Sequence, residues 1–387
     1  MAIKLPIYMD HNATTPLDPR VLEAMRPYFM EVFGNAASRG HSFGWEAEAA
    51  VDKARQQVAA ILNARPDAIV WTSGSTESNN LAIKGVASAY SDKGRHIITQ
   101  VTEHKAVLDC CKRLESQGYK ITWLGVDRDG RINLDEFRSS IRPDTILASI
   151  MWANNEIGTI QEIREIGKIC RENGTLFHTD ATQAVSKVPI DVQADCVDLL
   201  SMSGHKMYGP KGCGCLFVRN KPSRVELTPI LDGGGHERGY RSGTINVPGV
   251  VGVGAACEIA MKEMNRENTR LRKLRDRLEQ GIAARIDGTH INGYLPCRLA
   301  HVSNISFESV GHDELLAAMN NVAVSTGSAC TSASLESSYV LRALGVPNEL
   351  AGSSLRFSLG RRNTEEEVDF VVKQLADAIG GLRRSRG

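Results

Sequence analysis

Residues 201–212 read Ser201-Met-Ser-Gly-His-Lys206-Met-Tyr-Gly-Pro-Lys-Gly212. A lysine directly after a strand expected at Val197–Met202, amid Ser, His and Gly, is well placed to form a Schiff base. Small flanking residues let a flat ring approach, and partial burial lowers an amine's pKa toward nucleophilicity. Taken alone, such a lysine is more often a surface-loop residue. Its upstream context decides the matter. Ala68–Thr72, His96–Gln100, Ile121–Val126, Thr145–Trp152 and Thr175–His178 also read as strands, and Cys213–Val218 adds another. Between them Glu77–Tyr90, Ala106–Gln117, Leu134–Ile141 and Ile163–Glu172 read as helices. This alternation predicts an α/β fold whose mostly parallel central sheet is sandwiched by helices.

Beyond that region a long helix is expected over Val250–Ile286, with Leu271, Leu274, Leu278 and Ile282 on one apolar stripe and a charged, solvated opposite face. It connects to a smaller α+β unit. Strands are expected at Val302–Phe307 and Ser354–Leu359, and helices at His312–Met319, Tyr339–Leu344 and Thr364–Ile379. The last opens on a capping box, Thr364-x-x-Glu367, and presents Val368, Val371, Val372, Leu375 and Ile379 to a core. The expected division is a large domain, 15–262, and a small one, 1–14 with 263–387.

Composition excludes several functions. The chain of 387 residues is 42% hydrophobic and 24% charged, an ordinary globular balance. Its net charge of +1 supplies no bulk attraction to nucleic acid or an anionic membrane. No run approaches the ~18 apolar residues that span a bilayer, and no apolar leader precedes Asp10. Nine cysteines, an odd number without disulfide or zinc spacing, read as reduced thiols of a cytoplasmic protein. No Gly-x-Gly-x-x-Gly opens a helix and no P-loop occurs.

Other features gather around the lysine. In His178-Thr-Asp180-Ala-Thr-Gln183 an acid ends a strand, where a buried carboxylate holds a pyridinium nitrogen protonated; alone it would read as a helix N-cap. Thr72-Ser-Gly-Ser75-Thr76-Glu-Ser runs from strand into helix and forms an anion cradle, or merely a capped start. His104 follows another strand, where an imidazole can stack on a ring or shuttle protons. All fall at successive strand C-termini, where open α/β sheets bind ligands. Arg356, in the strand Ser354–Leu359, suits a carboxylate or a structural ion pair, and Asn154-Asn155 ends a strand with two amides. Gly233–Thr244 is a basic, glycine-rich loop, either a phosphate binder for a neighbouring subunit or a surface turn.

Ser325-Thr-Gly-Ser-Ala-Cys330-Thr-Ser-Ala-Ser-Leu-Glu-Ser-Ser338 has almost no large side chain, so a mobile loop (about 325–338) is expected and Cys330 becomes the reactive-thiol candidate. The other eight cysteines are expected to be buried hydrophobes.

The whole chain resembles the NifS/IscS cysteine desulfurases, pyridoxal-phosphate enzymes of the class-V aminotransferase group with the fold-type-I, aspartate-aminotransferase-like architecture. The likeness is carried by Asp10-His-Asn-Ala-Thr-Thr-Pro16, Thr72–Ser78, Met151-Trp-Ala-Asn-Asn-Glu156, His178–Gln183, Ser203-Gly-His-Lys206, Arg241-Ser-Gly-Thr244, Ser325–Ser332 and Arg356-Phe-Ser-Leu-Gly-Arg361. It implies pyridoxal 5'-phosphate in a Schiff base with Lys206, His104 stacked on the ring, Asp180 at the ring nitrogen and Gln183 at the ring hydroxyl. It implies Ser75, Thr76, Ser203 and His205 around the phosphate, with Thr244 reaching in from the partner of a homodimer whose active sites are shared. Asn155 and Arg356 would take the carboxylate of L-cysteine, and Cys330 would accept its sulfur as a persulfide. The products would be L-alanine and sulfur for a protein acceptor such as an iron–sulfur scaffold, with no metal in the site. The chain departs from the usual pattern at Asn35-Ala-Ala-Ser, His236 and Ser337, none of which carries these roles. An aminotransferase or selenocysteine lyase of the same fold, and a non-enzymatic iron–sulfur scaffold, are the rival readings.

Overall fold

The computed structural model describes residues 3–326 and 337–385. Its strands are β1 (Ile7–Tyr8), β2 (Ile69–Thr72), β3 (His96–Gln100), β4 (Lys120–Leu124), β5 (Thr145–Ser149), β6 (Leu176–Asp180), β7 (Leu199–Ser203), β8 (Gly214–Val218), β9 (Thr289–Asn292), β10 (Val302–Phe307), β11 (Val322–Ala323) and β12 (Ser354–Ser358). Its helices are α1 (Pro19–Met25), α2 (Pro27–Met30), α3 (Ser42–Ile61), α4 (Ser75–Ala89), α5 (Lys105–Glu115), α6 (Leu134–Ser140), α7 (Ile163–Glu172), α8 (Val247–Ala283), α9 (His312–Ala318), α10 (Tyr339–Ala343), α11 (Asn348–Gly352) and α12 (Glu365–Arg384).

Seven strands make the central sheet in the order β2-β8-β7-β6-β5-β3-β4. Every neighbouring pair is parallel except the two that β8 makes. The strands β5 and β7 are buried at every position, as expected of a sheet covered on both faces. Polar side chains inside such a sheet need partners. His96 bonds Thr145 on β5 at 2.7 Å and Thr122 on β4 at 2.8 Å, while His178 bonds Ser149 at 2.8 Å and Ser201 at 3.0 Å. Each imidazole thus pins three adjacent strands. Burial pulls His178 down to about 4, so it works there as a neutral ring.

The helices follow from their apolar spacing. Ile163, Ile166, Ile169 and Cys170 bury one face of α7. The 37 residues of α8, about 55 Å of helix, serve two cores. Val247, Val250, Val253, Ala256 and Cys257 enter the core of the large sheet. Leu271, Leu274, Leu278 and Ile282 enter a second core with Ile7, Met9, Phe307, Phe357 and the inward face of α12. That second core lies on the antiparallel sheet β12-β10-β9, and β1 pairs with β11 beside it. The capping box of α12 is present: Glu367 N–H donates to Thr364 Oγ1 at 3.3 Å, and Thr364 N–H to Glu367 Oε2 at 3.2 Å.

One expectation is corrected, and one long helix lies where the sequence reading named no element. The helix α3 was not foreseen; its buried face is largely alanine (Ala47, Ala50, Ala54 and Ala59), which gives little hydrophobic contrast. Cys297 is exposed, in a turn between β9 and β10, whereas the other seven described cysteines are buried.

Gly214, at the start of β8, sits where backbones meet: a Cβ there would lie 2.4 Å from Met202 O and 2.8 Å from Gly74 Cα. Gly214→Ala should destabilise the protein by about 1–3 kcal/mol through overpacking, read as a lower urea midpoint. An unchanged midpoint would contradict this close approach.

Candidate functional site at the carboxyl edge of the sheet

The strands β2, β3, β5, β6 and β7 deliver their following residues to one edge. There Ser75, Thr76, His104, Asn155, Asp180, Gln183, His205, Lys206 and Arg356 line a single cavity of ≈ 340 Å³, with Asn12, Ala13, Met151, Ala153 and Thr182. A second cavity of ≈ 430 Å³ shares Ser75, Thr76 and His205, and adds Ser203, Lys211 and the Ser73–Gly74 turn. Gly74 has φ +146°, a conformation L side chains rarely adopt, and it starts α4 with its first-turn amides unclaimed by the helix itself.

Lys206 ends the short turn after β7, and its Nζ donates to Asn12 O at 2.6 Å and Ala13 O at 2.7 Å. Behind it, Lys187 Nζ donates to Lys206 O at 2.8 Å. Burial, and then the charge of Lys206, draws Lys187 down to about 7. His205 bonds Thr14 Oγ1 at 3.0 Å and is lowered to about 4 by burial and the charges of Lys206, Lys211 and Lys187. It is therefore a neutral imidazole among cationic neighbours.

Asp180 is 5% exposed. Its Oδ2 accepts from Asn79 Nδ2 at 2.7 Å and its Oδ1 from Thr182 N–H at 3.0 Å. Glu103, also buried, is pushed well above the usual carboxylate range by burial and by the charge of Asp180. His104 caps α5, its Nδ1 accepting from Ala106 N–H at 3.1 Å, which leaves the proton of the neutral ring on Nε2.

Arg356 is 3% exposed on β12. It pairs with Asp10 at 2.7 Å and donates to Asn155 O at 2.9 Å, so the structural ion pair exists, yet the guanidinium still faces the cavity. Asn155 Oδ1, Gln183 Oε1 and Arg356 Nε are buried atoms without a hydrogen-bond partner among the described residues. Unsatisfied polar atoms around one cavity signal groups awaiting a ligand.

Two expected residues are not brought in. Thr244 is exposed and lines neither cavity of its own chain, where Arg241 of the same loop pairs with Glu77 at 2.8 Å. Cys330 lies outside the described residues. Conversely, the residue reading assigned nothing to Asn12, Glu156 or Lys187, although the Asp10–Pro16 and Met151–Glu156 motifs contain the first two. Their signal was proximity in sequence to singled-out residues, not chemistry of their own.

Residues 7–371 match the family described as Aminotransferase class-V. The chain is 57% identical over 384 residues to the cysteine desulfurase IscS of Dechloromonas aromatica, covering 99% of this chain and 94% of that one. Among solved structures, a NifS-like protein superposes with a TM-score of 0.91 at 38% identity, covering 98% of this chain and 100% of that one. A structure of SspA in complex with cysteine superposes with a TM-score of 0.79 at 37% identity, covering 91% of this chain and 98% of that one.

Glu156, 2% exposed beside Asn155, is raised to about 7 by burial, with the Ser338 hydroxyl, Arg356, His104 and Lys105 pulling the other way. A carboxyl raised from 4.5 keeps a proton that the unfolded chain has released. Its contribution to stability is full below about pH 4.5 and drains away as pH rises to about 7, on the order of 3 kcal/mol. Glu156→Gln should therefore gain stability relative to the parent between about pH 5 and about pH 8. Parallel unfolding curves across that range would contradict the buried carboxyl.

Proposed function

This chain belongs to the class-V aminotransferase family, and we propose that within it the protein is a pyridoxal-phosphate-dependent cysteine desulfurase that converts L-cysteine to L-alanine and passes the sulfur on. The observation that carries the reading is the convergence of Lys206, the buried Asp180 carboxylate and Arg356 on one cavity.

The residues fit the cofactor. A buried acid, an amine and a glycine-started helix N-terminus meet the demands of a protonated ring nitrogen, an aldehyde and a phosphate, in that order. Gln183 Oε1 and Asn155 Oδ1 supply buried acceptors still lacking donors. Lys206 would hold the resting cofactor covalently; Ser75, Thr76, Ser203 and His205 would hold its phosphate, and His104 would sit beside its ring. When bound, pyridoxal 5'-phosphate supplies an electron sink for negative charge developing at the substrate α-carbon.

The chain's own groups do the rest. Asp180 keeps a proton on the ring nitrogen. Arg356 and Asn155 hold the substrate carboxylate, the guanidinium as a fork. Lys206 and His104 move protons at the substrate carbons. Cys330, as thiolate, attacks the substrate sulfur: an S–S bond forms, the substrate C–S bond breaks, and its electron pair stays with the carbon fragment, which is protonated and leaves as alanine. The persulfide on Cys330 then goes to an acceptor protein, such as an iron–sulfur scaffold.

The protein acts as a cytoplasmic homodimer, in which Thr244 of one protomer serves its partner's phosphate; the exposure of Thr244 and the free thiols of the described cysteines support this. No described helix is long and apolar enough to cross a membrane. The two cores support a cofactor-binding unit, 15–262, and a smaller unit, 1–14 with 263–387.

Incubation with L-cysteine should yield alanine and, with a reductant, sulfide in equal amounts; a keto acid instead would favour an aminotransferase. Lys206→Ala should lose the visible cofactor band on dialysis and all turnover. Cys330→Ala should keep the band and lose sulfur release, whereas full sulfide release by that variant would end the persulfide assignment.

A further inference from the structure

The segment 327–336 carries Cys330; the described chain borders it with Ser325 and Thr326 on one side and Ser337 and Ser338 on the other. Both ends are fastened to the substrate site. On the entry side, Ser325 N–H donates to Arg356 O at 3.3 Å and Arg356 N–H to Ser325 O at 2.6 Å. On the exit side, Ser338 Oγ donates to Glu156 Oε2 at 2.5 Å and accepts from Leu341 N–H at 3.2 Å. One residue further on, Tyr339 Oη donates to Glu103 O at 2.6 Å, and Lys105 Nζ lies 4.7 Å from its ring centre. Glu156 follows Asn155, and Glu103 and Lys105 flank His104. Ser325, Ser338 and Tyr339 thus each bond Arg356 itself or a chain neighbour of Asn155 or His104.

Resting on the desulfurase reading above, we propose that Glu156 and Ser338 are a positioning pair for sulfur transfer: they fix the point at which the Cys330 segment rejoins the fold, and so hold the thiol's reach in register with the bound substrate. One hydroxyl serves both sides: Ser338 Oγ bonds the Glu156 carboxyl while its oxygen accepts the Leu341 N–H. The acceptor is itself rigid. Asn154 Oδ1 accepts the N–H groups of Glu156 and Ile157 at 2.8 and 3.1 Å, and Asn304 Nδ2 donates to Glu156 O at 3.3 Å. Cys330 is five residues from Ser325 and eight from Ser338, so its reach is measured from these two fastened points. Misplacing a reacting group by about 1 Å can cost ~100-fold in rate. The competing role is local: Ser338 as a cap that only stabilises the five-residue helix α10.

Ser338→Ala and Ser338→Thr, prepared as holoenzymes, separate the two. Titration of the cofactor band with L-cysteine reads substrate binding, and alanine formation reads the steps that need the thiol. For Ser338→Ala the expected outcome is a titration midpoint within about twofold of the parent and a kcat for alanine lowered about tenfold, both restored by Ser338→Thr. Tyr339→Phe, which removes the hydroxyl bond to Glu103 O, should lower kcat in the same direction by about threefold and serves if Ser338→Ala does not fold. Parental turnover in Ser338→Ala, or in Tyr339→Phe used in its place, overturns the inference. So does a parallel fall in titration affinity, turnover and thermal midpoint, which marks a cap alone. A parent that yields no alanine would overturn the desulfurase reading and this inference with it.

Discussion

A carboxylate taken out of water costs several kcal/mol unless donors meet it, and Asp180 is buried at the end of β6 on those terms. Its two donors come from different places: Asn79 from α4, lying across the sheet, and the Thr182 amide from the turn that follows the strand. The helix must therefore pack in one register, and the chain must turn within two residues of β6. The neighbouring Glu103, bonded to Met151 N–H and Gln100, is pushed well above the usual carboxylate range by burial and by the Asp180 charge. The cavity is left with one dedicated anion beside an amine and a guanidinium, which suits a cationic ring nitrogen and an amino-acid carboxylate.

A second constraint closes the site from the small core. Asn12, just after β1, accepts from Lys206 Nζ and Gln183 Nε2 through its main-chain oxygen and donates from its side chain to Asn155 O at 3.0 Å. Its Oδ1 bonds His301 at 2.8 Å, and its N–H donates to Ser358 Oγ at 2.9 Å. One buried asparagine thus ties the lysine, the substrate-side amide and strand β12 together. The His301 ring is held neutral by burial and by the charge of Lys187, so it adds no positive charge behind the site.

The strands were legible because fully covered parallel strands are nearly continuous apolar runs, and their ends were legible because chemistry-bearing residues follow at once. The expected strand Thr145–Trp152 overran β5 for a physical reason: beyond Ser149 the chain stays alongside β6, Ile150 and Trp152 N–H donating to His178 O and Asp180 O. The alanine-faced α3 was missed because packing there depends on closeness, not on side-chain size; an added Cβ on Gly254 of α8 would lie 2.7 Å from Ala54 Cα. Lys206, Asp180, His104 and Arg356 announced themselves by residue type and position. Glu156 and Asn12 did not, since their partners lie 182 and 143 residues away.

The linear order of residues by itself determined the α/β architecture, the family resemblance and the candidate reacting groups, because these follow from apolar periodicity and from functional groups set at strand ends. Tertiary structure alone decided which polar atoms stay unpaired in the cavity, which carboxyl keeps its proton and where Ser325 and Ser338 are fastened. Those outcomes depend on burial and on bonds between distant segments, and both exist only once the two cores have packed against each other.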